Sequence, residues 1–247
     1  MLTYQIRGGL GTQLLNLMAA YGDAFNKDDD IEKVVLNFFN YPEGLREINI
    51  DFISKIINTN IKVDTTDGTN KFPIFNQERI RKVHKFIEKI RSKMPVKKTD
   101  QEPAGCPIIH VRQIDRPLVS VDTYKKIVAH IPTSMVIGDD TDVVSKIIEA
   151  GQVASLDKYP LANRSTITSP YNNDSVEEWF MVYNSKIVMG GFSSYILSAA
   201  LLNPNLSYHM LSRESCNEGM ITDGDWKCLD LFTELFDNID WMEYEHD

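Results

Sequence analysis

The sequence is short of several things, and each shortage excludes a class. It has three cysteines, Cys106, Cys216 and Cys228, in 247 residues. An odd number with no zinc-type spacing excludes a disulfide framework and a structural zinc site and leaves reduced, packed thiols. No apolar run approaches the roughly 18–20 residues that span a bilayer; the longest, Ile196–Leu202, is far too short. Positive charge is also short: 26 Lys and Arg face 35 Asp and Glu, for a net charge of −9. A nucleic-acid binder usually shows a basic face, so in a chain this acidic nucleic acid is not an expected partner. Residues 1–7 read as a strand, which leaves no room for a signal peptide and makes a cytoplasmic enzyme the expectation.

What is present is ordinary globular composition, with 43% hydrophobic and 25% charged residues. Leu2–Ile6 reads as a strand. It runs into Gly8-Gly9-Leu10-Gly11 and then a helix from Gln13 to Phe25, with Leu14, Leu17, Met18, Tyr21 and Phe25 on one face. Val34–Phe39 has the length of a buried strand, Ile48–Ile57 reads as a helix, and Glu78–Lys93 as one basic amphipathic helix. Pro95, Pro103, Gly105 and Pro107 make residues 94–107 the best linker.

A second alternating series follows. Strands are expected at Ile108–Val111, Ser134–Ile137, Ile167–Ser169 and Lys186–Met189. Helices are expected at Val121–Ala129 with Asp122 as N-cap, Asp142–Ala150, Ser175–Asn184 and Tyr195–Leu202. Residues 222–247 carry nine acidic side chains between apolar ones and read as a packed helix with a frayed end. The expected fold is therefore α/β, with two Rossmann-like domains of parallel sheet: residues 1–103, residues 104–221, and an acidic segment at 222–247.

Ligands of open parallel sheets bind beyond the carboxyl ends of the strands. Four segments with unusual chemistry lie there. Gly9, Gly11 and Gln13 follow the first strand, where glycine lets backbone approach a phosphate or sugar. A dinucleotide fingerprint would need a glycine at 14, where leucine stands, and an acidic residue after the second strand, where Asn37 and Asn40 lie. His110, Arg112 and Asp115 end a buried strand. There Arg112 is able to pair bidentately with phosphate oxygens or, as the bland alternative, with Asp115. Asp139 and Asp140 end the next strand, either as ligands to a ribose or base edge or as a capped turn. Gly190-Gly191-Phe192-Ser193-Ser194 opens a helix, either as an anion site or with a serine as a plain N-cap. No histidine pair or other second cue marks a metal.

Taken together, these segments resemble the fucosyltransferase superfamily of GT-B glycosyltransferases, and most closely its bacterial and viral α-1,2 group. The run Gly-Gly-Leu-Gly-Thr-Gln-Leu at 8–14 is similar to that group's Gly-Gly-Leu-Gly-Asn-Gln-Leu. His110, Arg112 and Asp115 match a His-x-Arg-Arg-x-Asp motif. Asp122-Thr123-Tyr124 and Gly138-Asp139-Asp140 follow in the family's order, and the late serine loop lies within Ser175–Ala200, so the resemblance covers residues 4–204. The chain departs at Gln113, where the family has a second arginine, at Thr12 for asparagine, and at Leu197-Ser198 for a Trp-Trp pair.

The resemblance implies inverting, metal-independent transfer of L-fucose from GDP-fucose to a glycan hydroxyl. The GDP-sugar is a substrate, with no resident cofactor. Arg112 and His110 are implied at the diphosphate, with Asp115 orienting Arg112. Gly9, Gly11, Gln13, Asp139, Asp140, Gly191, Ser193 and Ser194 are implied around the donor. Another nucleotide sugar, or a non-catalytic nucleotide- or sugar-binding relative, remains open at this point.

Overall fold

In a computed structural model of the chain, the described residues are 3–6, 10–28, 35–38, 53, 55–58, 76–98, 107–113, 119–131, 134–138, 140–152, 173–211 and 221–242. The chain forms two compact units, residues 1–99 with 223–236, and residues 100–222 with 237–247.

In the first unit, strand β1 (Thr3–Ile6) pairs in parallel with β2 (Val35–Phe38). Between them runs helix α1 (Leu10–Asn26). It starts three residues before the sequence pattern suggests, because Leu10 is buried on the row that continues through Leu14, Leu17 and Met18. Gly11 is therefore helical, not part of the preceding turn, and the burial of Leu10 offsets the conformational cost of a helical glycine. Fifteen of the 17 residues are buried, so α1 is a core helix and not a one-faced one.

The expected helix 78–93 is two helices. Helix α2 (Gln77–Lys85) is capped by Asn76, whose side chain accepts from the Glu78 and Arg79 N–H groups. Helix α3 (Ile87–Lys93) follows a break at Phe86. Of the expected helix 48–57, residues 53 and 55–57 are described: 53, 55 and 56 are helical, while Ile57 has left the helix and bridges Val96. Helix α1 meets α2 at Gly22, where an added Cβ would lie 3.3 Å from the Val83 amide nitrogen. Beside that contact, buried Asp23 takes Lys82 Nζ at 3.1 Å and Arg79 Nε at 3.4 Å.

The second unit is built on one five-stranded sheet, all parallel. Its strands are β3 (Ile108–Val111), β4 (Met135–Gly138), β5 (Ile187–Gly190), β6 (Ser207–Leu211) and β7 (Ile239–Met242). Helices α4 (Val121–His130), α5 (Thr141–Gln152), α6 (Asn173–Asn184) and α7 (Ser194–Leu202) lie between them in sequence. The expected N-cap Asp122 is instead in the first turn of α4. Ser120 is the cap and accepts from the Thr123 N–H, and the helix begins at Val121 as the sequence pattern has it.

Two strands escape the sequence pattern. Tyr208, Met210 and Leu211 are buried on β6, and the supposed frayed end carries β7. Helix α8 (Asp223–Leu235), which precedes β7, packs with α2 in the first unit. Asn238 then turns the chain into β7 by donating to the Leu206 and Ala200 carbonyls at 2.8 and 3.0 Å. The expected strand 167–169 lies outside the described residues. No helix among those described is long and apolar enough to cross a membrane.

Candidate functional site

The strand order β4-β3-β5-β6-β7 puts the first strand of the unit second in the sheet. From β3 the chain steps to one side to make β4, then to the other side to make β5. The crevice beyond the carboxyl ends of β3 and β5 is thus the topological switch point, where a doubly wound sheet opens to a ligand.

Both neighbours of β3 end in glycine at that point. Val111 is in register with Gly138 and His110 with Gly190. A Cβ on Gly138 would come within 2.6 Å of the Val111 carbonyl oxygen, and one on Gly190 would overlap the His110 carbonyl oxygen. Glycine on both sides therefore lets three strand ends close up where the loops begin.

The loop Gly191-Phe192-Ser193 leaves β5 for α7, and two phenols pin it. Tyr208, from β6, donates its hydroxyl to the Gly191 carbonyl at 2.9 Å and accepts the Ser193 N–H at 3.0 Å. Tyr124, from α4, accepts the Gly191 N–H at 3.4 Å. Two backbone donors that the sequence offers to an anion are thus already engaged, and what they provide is a fixed loop. Ser193 sits at the N-cap of α7, yet its side chain makes no cap bond. Its hydroxyl is fully enclosed and has no hydrogen-bond partner, with the residue 1% exposed. Ser194 begins the helix itself and is half-buried. Below it, Ser198 accepts from Trp179 Nε1 at 3.0 Å and donates to the Tyr195 carbonyl at 2.8 Å.

His110 faces this loop across the crevice. Its ring stacks on Tyr195 with centroids 6.0 Å apart and planes 19° apart. Its Nδ1 is enclosed and has no partner. Burial, and then the Arg112 charge, push its pKa down to about 3, so the imidazole is neutral near pH 7. Burial, and then the charge of buried Glu178, hold the Tyr195 phenol well above its ordinary range. Arg112 follows directly on β3 and is half-buried.

The sequence-predicted residues divide as follows. His110 lies in β3 and Arg112 directly after it, Gly191 and Ser193 lie in the loop after β5, and Ser194 begins α7. Asp140 is the cap of α5, its carboxylate accepting the Val143 N–H at 3.1 Å, as the capped-turn alternative has it. Gln113 is half-buried and donates its side-chain amide to the Val119 carbonyl at 2.8 Å, closing the loop after β3. Gly11 and Gln13 are buried in α1 of the first unit. Gly9, Asp115 and Asp139 lie outside the described residues.

Tyr208, Tyr195 and Glu178 are the residues that pattern reading missed. Tyr208 carried a signal, since it alternates with Leu206 and Met210 after the Pro204 turn. Tyr195 and Glu178 read as helix residues with no mark of their contacts. Among the described residues no three His, Cys, Asp or Glu side chains gather to hold a metal ion. No protein-family model, curated protein or solved structure matches the chain.

Proposed function

We propose that the chain is a GT-B glycosyltransferase that moves L-fucose from GDP-fucose to a hydroxyl of a glycan acceptor. The observation that carries this reading is the switch point. There, β3 ends with His110 and Arg112 beside β5, whose following loop carries an enclosed, partnerless Ser193 hydroxyl at the start of α7. An α/β unit with a five-stranded parallel sheet supports it, as does the order of the family-like motifs along the chain.

In the proposed reaction the acceptor oxygen attacks the anomeric carbon. The bond from that carbon to the β-phosphate oxygen breaks, GDP leaves with its electron pair, and the acceptor proton passes to water. The transition state is oxocarbenium-like. Negative charge grows on the leaving diphosphate, so donors already in place there lower the barrier. Arg112 supplies the positive charge to it. The Ser193 hydroxyl donates from the start of α7, where the helix dipole also favours an anion. A neutral His110 keeps hydrogen-bonding capacity toward the diphosphate or ribose without competing for the same anion as a second cation. Gly11 and Gln13 are assigned to the acceptor-side domain, Asp139 to the donor and Asp115 to orienting Arg112, as the resemblance implies, while Asp140 caps α5.

The test is a thermal-shift screen with GDP, GDP-fucose, GDP-mannose, UDP and NAD. A ligand that binds the folded chain raises its melting temperature by mass action. The expected result is a rise with GDP and GDP-fucose that Arg112→Ala removes. Turnover in that variant should fall by about 3 kcal/mol of transition-state stabilisation, the order seen for one key donor. A rise with UDP alone would discard the donor and keep the transferase, and silence from every nucleotide would end the reading.

A further inference from the structure

Residues 76–98 carry nine Lys and Arg against two carboxylates, a local net charge of +7 in a chain of net −9, which leaves −16 on the remainder. The cations are sorted. Arg79 and Lys82 are turned to Asp23, and Arg91 to Glu88. Arg81, Lys85, Lys89 and Lys93 fall every fourth residue and are exposed, as is Lys98 further on.

The row crosses the break between α2 and α3 without losing its spacing. The Phe86 N–H donates to the Lys82 carbonyl at 3.1 Å, and the Phe86 carbonyl accepts the Ile90 N–H at 2.8 Å. Four-residue steps of about 6 Å make the row about 18 Å long. The opposite face is committed to the core through Ile80, Val83, Ile90 and Met94.

We propose that this row is a peripheral docking face for an anionic lipid bilayer. Three features favour a headgroup plane over a nucleic acid. Four of the five exposed cations are lysines, compact charges without the guanidinium fork that reads phosphate geometry, which suits diffuse attraction. Lys89 Nζ lies 4.1 Å from the Phe25 ring centre and Lys85 Nζ 4.9 Å from that of Phe86, so the ammoniums sit over apolar rings. Phe86 and Ile87 are half-buried at the break, within the row, giving an apolar foothold between charges. The inference is independent of the proposed transferase activity.

The experiment is co-sedimentation of the whole chain with phosphatidylcholine vesicles and with vesicles containing phosphatidylglycerol. The probe for the alternative partner is duplex DNA. The expected result is binding to the anionic vesicles only, weakened by salt. In Arg81→Glu/Lys85→Glu it should fall at least about 25-fold, since each lost cation near the surface accounts for roughly five-fold. Lys126→Glu/Lys186→Glu makes the same charge change at exposed positions of the second unit and should leave binding close to wild type, once circular dichroism shows both variants folded. No binding to anionic vesicles overturns the proposal. So does binding that both variants lose equally, or DNA binding that the first variant abolishes while vesicles stay unbound.

Discussion

The two units hold their buried polar groups by different chemistry. In the first, buried Asp23 sits between Lys82 and Arg79, and Lys82 reaches on to Glu78 at 2.7 Å. The Lys82 pKa is raised, chiefly by its bond to Glu78 and next by Asp23 against the opposing effect of burial. In the second, the loop at the switch point is held by neutral phenols, Tyr124 and Tyr208, and by glycines that let strand ends close up. The difference has a physical reason. An ion pair spreads its field into its surroundings, whereas a phenol pins backbone without adding charge.

The comparison breaks most visibly at its glycines. Gly190→Ala drives a Cβ into the His110 carbonyl oxygen, a backbone atom that cannot move aside without parting β5 from β3. The expected loss is about 3 kcal/mol in chemical denaturation. Gly22→Ala in the first unit meets the Val83 nitrogen at 3.3 Å, a contact that needs only a small shift. Alanine also gains about 1 kcal/mol of helix propensity there. The two terms oppose, and the expected net change is within about 1 kcal/mol of zero. Equal losses at both glycines would mean that helix contact and strand-end contact are equally rigid.

The second test is pH. His110 has a folded pKa of about 3 against an ordinary 6.5. Below about 6.5 the unfolded chain takes up a proton that the folded chain refuses, so this histidine makes stability fall as pH drops toward 3 and contributes nothing to the pH dependence above about 7. The expected loss from this group is about 2 kcal/mol between pH 6.5 and 4.5. Unfolding of the wild type and of His110→Asn at both pH values isolates it from the carboxylates, because their slopes cancel in the difference. Parallel pH profiles would show that the imidazole charges freely in the folded chain.

Much of the second unit was legible in the sequence, and for a stated reason. Strands buried on both faces, such as Ile108–Val111, read as apolar runs, and glycine marks where they stop. The alternation of strands and helices was enough to give parallel sheet. Strand β7 was hidden because Asp237, Asp240 and the acids after them make residues 237–247 look like a solvated tail. Only Ile239 of that strand is fully buried, so its burial pattern is weak. The site was legible as chemistry and not as geometry. Arg112, Ser193 and the glycines stand out by type, but nothing in the sequence says that Tyr208 grips the loop from a later strand or that Tyr195 stacks on His110. Those contacts link residues far apart along the chain, which periodicity does not reach.

Tyr208→Phe sharpens the comparison at the neutral side. It removes one hydroxyl and leaves the buried Ser193 N–H and Gly191 carbonyl without that partner, at an expected cost of about 1–2 kcal/mol. If the loop serves a nucleotide, GDP affinity should fall in the same variant while GDP still raises its melting temperature. A loss of stability with unchanged GDP affinity would make the phenol a packing device alone.

The smallest expected effect lies at the charged side. Glu88 pairs with Arg91 one turn on in α3, but its carboxylate is 81% exposed. Coulomb attraction in water is weak, and holding two long side chains in one geometry costs entropy, so such pairs contribute at most a few tenths of a kcal/mol. Glu88→Gln should therefore change stability by less than about 0.5 kcal/mol and lose even that at high salt. In the first unit Asp23 holds its cations because it is buried beside them, while Glu88 meets its own in solvent. A loss at Glu88 as large as that at Tyr208 would mean that the α2–α3 surface is ordered by its ion pairs, and the exposed row beside it would then be a by-product of that network.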